Sequence, residues 1–388
     1  MQKKVSKWWI LAGVLALILI GMGVIYFSYN QMVVKKNKSK ENGTKLEVTP
    51  TVTPTPDPLA AYSILLLGYG GGTHEGGLLT DSIMLAQVAP HDEEVTLISI
   101  PRDLWAPILI NGDESQNKKI NEAYAIGSDD KKYPNKKAEF TGDAGGGEMA
   151  KYVVEQVTGI KPDYFAAIDF DGFVKIIDKL GGVDVKVART FDDPYYPIEA
   201  NINDTCGKTE DDIKAIEATM SGDKLDQQFS CRYENLHFDK GIQHMDGTTA
   251  LKFARSRHSN MDGGDFNRAE RQKLVVTAIR DKVISVGFIS KIIPTIQTLT
   301  RHITTDVNFS TMSELVTKIP EISAYKVVSV ALTDQNVLVN AKASTGQFIL
   351  NPKLGENDFS EIHEFIKNKG ILTPTPTATA TPTKKIEN

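Results

Sequence analysis

Hydrophobic and polar positions run in two rhythms along the middle of this chain. Residues 63–67 (SILLL), 81–87 (DSIMLAQ) and 95–100 (VTLISI) are short apolar runs bounded by turn residues, the pattern of buried strands. Residues 164–168 and 183–187 read the same way. Between them Phe170, Phe173, Val174, Ile177 and Leu180 recur at helical spacing, and Gly181-Gly182 ends the helix. Two strand–helix units in succession, with a helix over 149–157, argue for a layered α/β domain. Further helices are expected over 246–254, with Asp246 as N-cap, and over 267–284, near 290–299, over 311–318 and over 359–367. Late strands are expected at 327–332 and 346–350. Residues 191–238 break the rhythm and read as an acidic insertion over the surface near the site.

The ends are different. Residues 8–27 are an uninterrupted apolar run, long enough to cross a hydrocarbon core of about 30 Å. Trp8, Trp9 and Tyr26 sit where interfacial aromatics belong, and Lys3, Lys4 and Lys7 favour a cytoplasmic N-terminus. Tyr26-Phe27-Ser28-Tyr29 lacks the small residues of a cleavage site, so a retained signal anchor is expected. Thr/Pro-rich segments on both sides, TPTVTPTPDP before the folded unit and TPTPTATATPTKK after it, read as extended spacers. The expected organisation is a cytoplasmic N-terminus (1–7), a transmembrane anchor (8–27), a linker (28–59), one folded unit (60–370) and a tail (371–388). The bulk of the chain is then extracytoplasmic, where its two cysteines, Cys206 and Cys231, either pair or stay free.

Composition excludes more than it proposes. Of 388 residues 41% are hydrophobic and 24% charged, as in ordinary globular proteins, and a net charge of -5 gives no reason to expect nucleic acid as a partner. The seven histidines show no metal-site spacing. The chemistry concentrates in residues 250–272 (ALKFARSRHSNMDGGDFNRAERQ). Arg255 and Arg257 alternate, and on a helix Asp265, Arg268 and Gln272 share one face. Extended C-terminally, that face meets Val275, Val276, Ile279 and Val283. A core-facing stripe that begins with a guanidinium needs an anion there, because an unpaired buried charge is very costly. Arginine forks suit phosphate oxygens, so the expected ligand has a phosphate head and an apolar body. Surface ion pairs with Asp262, Asp265 and Glu270 are the plainer alternative. The Gly-rich loop at 68–77 and Pro101-Arg102-Asp103, which ends a strand abruptly, put further polar groups at strand termini, where α/β folds build sites.

At these residues the sequence resembles the LytR-CpsA-Psr family of cell-wall glycopolymer ligases. The resemblance is carried in order by LTDSIML (79–85), ISIPRD (98–103), KINEAY (119–124), DFDGFVKIIDKLGGVDV (169–185) and DGTTALKFARSRHS…DFNRAERQ (246–272). It implies an α-β-α sandwich with a mixed central sheet, preceded by one membrane helix. It also implies transfer of a glycopolymer, as a phosphodiester, from a polyprenyl-pyrophosphate carrier to peptidoglycan, with the prenyl tail in an apolar tunnel. By the same resemblance Asp81 is a Mg²⁺ ligand, Arg102 a catalytic pyrophosphate contact, and Arg255 and Arg257 pyrophosphate-binding residues. Asp265, Arg268 and Gln272 complete the polar cluster. For proton transfer, Asp103 and Asp265 are expected to orient arginines rather than act as bases, since a carboxylate beside Arg⁺ is a poor base. One departure stands out. Most members carry an Asp after the first strand in a G-x-D pattern, and here that place reads Gly68-Tyr69-Gly70-Gly71-Gly72, with His74 and Glu75 as the next candidate ligands. Two other functions use the same residues, a pyrophosphatase acting on the lipid-linked glycan and a non-catalytic binder of lipid or wall polymer.

Overall fold

The computed structural model describes residues 60–71, 76–259, 264–285, 298–308, 310–315 and 324–371. The expected anchor at 8–27, the linker, nearly all of the tail, and all but the last two residues of the helix expected near 290–299 lie outside the described residues; those two form a turn. Among the described residues no helix is long and apolar enough to cross a membrane.

The first apolar runs become β1 (Tyr62–Tyr69), β2 (Thr80–Ala89) and β3 (Glu94–Ile100), followed by a hairpin of β4 (Trp105–Asn111) and β5 (Glu114–Lys119). Next come α1 (Glu122–Ser128), α2 (Gly145–Thr158), β6 (Tyr164–Asp169), α3 (Phe170–Lys179) and β7 (Val183–Val187). Strands β8 (Phe191–Pro197) and β9 (Tyr233–Phe238) flank an excursion that carries α4 (Glu210–Thr219). Then follow β10 (Gly241–Met245), α5 (Gly247–Arg255), α6 (Gly264–Ser285), β11 (Ile303–Thr305), β12 (Lys326–Ala331), β13 (Leu338–Lys342), β14 (Phe348–Pro352) and α7 (Ser360–Lys367).

The central sheet has the order β11-β6-β1-β2-β3-β12. It is mixed: β1 with β6 and β3 with β12 are parallel, and the remaining pairs are antiparallel. Period-two patterning sends alternate side chains to opposite faces. Leu65, Leu67, Ile83, Leu85, Ile98 and Phe165 pack with Met149, Val153 and Val157 of α2 and Ile362 and Phe365 of α7 in the main core. A second core joins α3, α5 and α6 to the small strands, through Ile177, Val183, Val185, Phe191, Phe238, Phe253 and Val275.

Two expectations are corrected. Strand β7 does not return to the central sheet after α3; it pairs with β10 in a separate two-stranded sheet, so the second strand–helix unit is not a parallel crossover. Nor is 191–238 wholly a surface insertion. Its two ends pair as β8 and β9, with Phe191 opposite Phe238 and both rings buried in the second core. The excursion proper is 198–232, closed by a Cys206–Cys231 disulfide with its Cα atoms 5.7 Å apart.

Candidate active site

Register puts the first two site residues together. Ile83 lies opposite Ile100 across antiparallel β2 and β3, so continuing that ladder outward brings Asp81 against Arg102 just past the strand end. The Arg102 guanidinium donates to Asp81 Oδ1 through Nη1. Its Nε lies 3.5 Å from Asp103, whose other oxygen accepts from Lys119 Nζ at 2.5 Å. Burial raises the Asp103 carboxyl, but the Lys119 hydrogen bond and the charges of Arg102, Lys119 and Arg257 outweigh it and hold the group below its ordinary value. Asp103 therefore stays ionised and orients its cations.

The second set comes from the helical layer. Asp246 caps α5 by accepting from Thr249 N at 2.7 Å, and the helix ends at Arg255. Arg255 stacks 4.3 Å over the Phe170 ring and donates to the Tyr196 hydroxyl at 3.4 Å. The turn that follows, Ser256-Arg257-His258, is held by a residue that the sequence reading placed within the insertion and did not single out. Asp193, fully buried on β8, accepts through Oδ2 from Ser256 Oγ (2.7 Å), Arg257 N (2.9 Å) and His258 N (3.1 Å), and through Oδ1 from Tyr195 N (3.1 Å). From the other side Arg271 donates to the Ser256 carbonyl and lies 5.1 Å from the Phe191 ring. Arg268 and Gln272, one turn apart on α6, face the opening, and Gln272 Oε1 accepts from Ser82 Oγ at 3.3 Å. Of the expected cluster only the Asp265 side chain lies outside the described residues.

These groups surround one cavity of about 190 Å³, lined by Asp81, Arg102, Asp193, Tyr196, Pro197, Arg255, Arg257, His258, Arg268 and Gln272. Among the described residues four guanidiniums and two carboxylates line it, and the guanidinium forks suit the oxygens of a pyrophosphate diester. A second cavity of about 370 Å³ shares Asp81, Arg255 and Gln272 with the first. It lies between the central sheet and the helices, and its walls are apolar. Leu66, Met84, Ala166, Ile168 and Ile303 come from the sheet, and Phe173, Ile176, Leu251, Val275, Val276 and Ile279 from α3, α5 and α6. Strand register explains why this space stays open. Gly68 lies beside Ser82 and Ile168, and Leu66 beside Met84 and Ala166, so small side chains interrupt the sheet face under the helices. The α6 stripe lines the slot as far as Ile279; Val283 is not part of its wall.

The missing carboxylate after β1 is not replaced within the described residues, and His74 and Glu75 lie outside them. Asp169 does approach the loop: a Cβ on Gly71, at φ +71°, would sit 2.7 Å from the Asp169 Cβ. Asp169, however, caps α3 through Gly172 N at 2.7 Å and binds His302 Nδ1 at 2.9 Å, and it faces the slot rather than the polar cavity. Among the described residues the only cluster of three metal-capable side chains is Asp204, Cys206 and Cys231, and its two cysteines are bonded to each other.

The LytR_cpsA_psr family model matches residues 23–357. The chain belongs to the LytR-CpsA-Psr family. A Bacillus mycoides relative, the polyisoprenyl-teichoic acid–peptidoglycan teichoic acid transferase TagU, is 26% identical over 324 residues, covering 81% of this chain and 83% of its own. Two solved structures share the fold of this LytR-CpsA-Psr protein at 22% identity. Bacillus subtilis TagV matches with a TM-score of 0.52 over 81% of this chain and 99% of its own, and protein gbs0355 of Streptococcus agalactiae with 0.54 over 82% and 90%.

Proposed function

We propose that this protein is a membrane-anchored, extracytoplasmic phosphotransferase that moves a glycopolymer from a polyprenyl-pyrophosphate carrier to a peptidoglycan hydroxyl. The observation that carries this reading is a pair of adjoining cavities: a polar one walled by four arginines shares Asp81, Arg255 and Gln272 with an apolar slot about twice its volume. That pairing suits an amphiphile with a phosphorylated head in the polar cavity and a hydrocarbon tail in the apolar one. The TagU relative is named as a transferase of polyisoprenyl-linked teichoic acid to peptidoglycan, which supports the same substrate class here. The apolar run at 8–27 and the disulfide in the excursion support an extracytoplasmic site.

Phosphoryl transfer asks mainly for positioning and charge neutralisation. Arg255 and Arg257 hold the pyrophosphate from the α5 exit and Arg268 from α6. Arg102, at the end of β3, stabilises charge that develops as the bridging P–O bond breaks. Gln272 marks where head gives way to tail. Asp81 is the carboxylate suited to Mg²⁺: its side chain is 38% exposed at the cavity mouth, and Mg²⁺ needs few protein oxygens when phosphates and water supply the rest. Bound there, Mg²⁺ would neutralise phosphate charge. The test is Arg102→Ala. It should cost about 3 kcal/mol of barrier, on the order of a hundredfold or more in kcat, while the lipid still binds. Wild-type turnover in that variant would overturn the reading.

A further inference from the structure

The acceptor hydroxyl has to lose its proton as its oxygen attacks phosphorus, and the acids around the cavity among the described residues are poorly placed to take it. Asp81 accepts from Arg102. Asp103 is held ionised by Lys119 and the neighbouring arginines. Asp193 is fully buried and accepts four hydrogen bonds, three of them on one oxygen. The Tyr196 phenol is pushed up by burial, partly offset by Arg255 beside it, so it keeps its proton. Among the described residues the one other titratable side chain lining this cavity is His258. Its ring meets the Tyr195 ring edge-on, with centroids 6.4 Å apart and planes at 90°. Its backbone N–H is fixed by Asp193. Neither ring nitrogen donates to or accepts from another described residue.

We infer that His258 is the general base for the acceptor hydroxyl, and that Asp193 is the positioning residue that aims it and Arg257 into the cavity. This rests on the transferase reading and adds to it the group that handles the proton. The acceptor oxygen bonds to the phosphorus that bears the glycan. The bond from that phosphorus to the bridging oxygen breaks, and its electron pair leaves with the lipid monophosphate. The acceptor proton goes to a ring nitrogen of His258 and then to the departing phosphate. Imidazole suits this task because its ordinary charge change falls between pH 5 and 8. Its charged surroundings are Arg102, Arg255, Arg257 and Arg268 on one side and Asp81 and Asp193 on the other, with Tyr195 against the ring.

The test uses the full chain in detergent, a short-chain polyprenyl-pyrophosphoryl N-acetylglucosamine as donor and a peptidoglycan oligosaccharide as acceptor. His258→Gln should lower kcat by about a hundredfold or more with donor binding preserved, and the acid limb of the wild-type pH–rate profile should disappear. His258→Ala should regain rate when free imidazole is added. Asp193→Asn should also slow transfer, without imidazole rescue. A His258→Gln variant with wild-type rate and pH profile overturns the assignment. So does a His258→Ala variant that has lost donor binding and is not rescued, since that is the signature of a structural role. No transfer by the wild type would instead fail the transferase reading itself and the assignment with it.

Discussion

Replacing Ala166 by Phe should close the slot without touching the polar cavity. Ala166 sits on β6 beside Leu66, on the sheet face beneath α3, α5 and α6, and it lines the apolar cavity but not the arginine-rich one. A ring built there projects into space that the tail would fill. Displacing one five-carbon isoprene unit forfeits, at about 0.8 kcal/mol per buried carbon, up to about 4 kcal/mol. Half of that is already about thirtyfold in Kd. The assay is titration of the protein with a long-chain polyprenyl pyrophosphate, and separately with inorganic pyrophosphate, alongside thermal melts. Long-chain affinity should fall at least thirtyfold, while pyrophosphate affinity and Tm stay close to wild type. If the variant folds and binds the long chain as tightly as before, the tail does not lie in this slot and the reasoning fails.

Chelation of divalent cations should abolish transfer, added Mg²⁺ should restore it, and Asp81→Asn should raise the Mg²⁺ concentration needed for half-maximal rate. Asp103 sets an acid limit. Its folded carboxyl lies below the unfolded value of about 3.9, so the stabilisation from its ion pairs is present above roughly pH 4 and is lost as pH falls through the folded value. Thermal melts between pH 6 and 3 should show Asp103→Asn with a lower Tm at neutral pH and a shallower acid decline than wild type.

The strands that build the floor of the site were legible because each is an apolar run between turn residues, and the α3 stripe and the Asp246 cap gave the helices that roof it. The β4–β5 hairpin was not legible. Strand β5 reads ESQNKK and is partly exposed throughout, so no apolar pattern marks it. The fate of β7 was hidden for a different reason: VDVKV alternates well, but alternation does not say which sheet a strand joins. Within 191–238 the signal was present and faint. Phe191 and Phe238 bracket the segment and meet with ring centroids 5.3 Å apart, and Asp193 two residues inside is the buried anchor of the arginine turn. A slot and a filled core use the same residues on α6. What separates them lies across the gap, in Gly68, Ser82 and Ala166, whose size matters only once strand register brings them onto one face.

In the proposed transfer the phosphate nearer the sugar travels with the glycan to the wall. A donor carrying a radiolabel in that phosphate, incubated with the full-length protein, Mg²⁺ and peptidoglycan, measures this directly. The label should become covalently bound to peptidoglycan as a phosphodiester, with unlabelled lipid monophosphate released in equal amount. Label recovered only in soluble glycan phosphate, or retained on intact lipid bound to the protein, would contradict it.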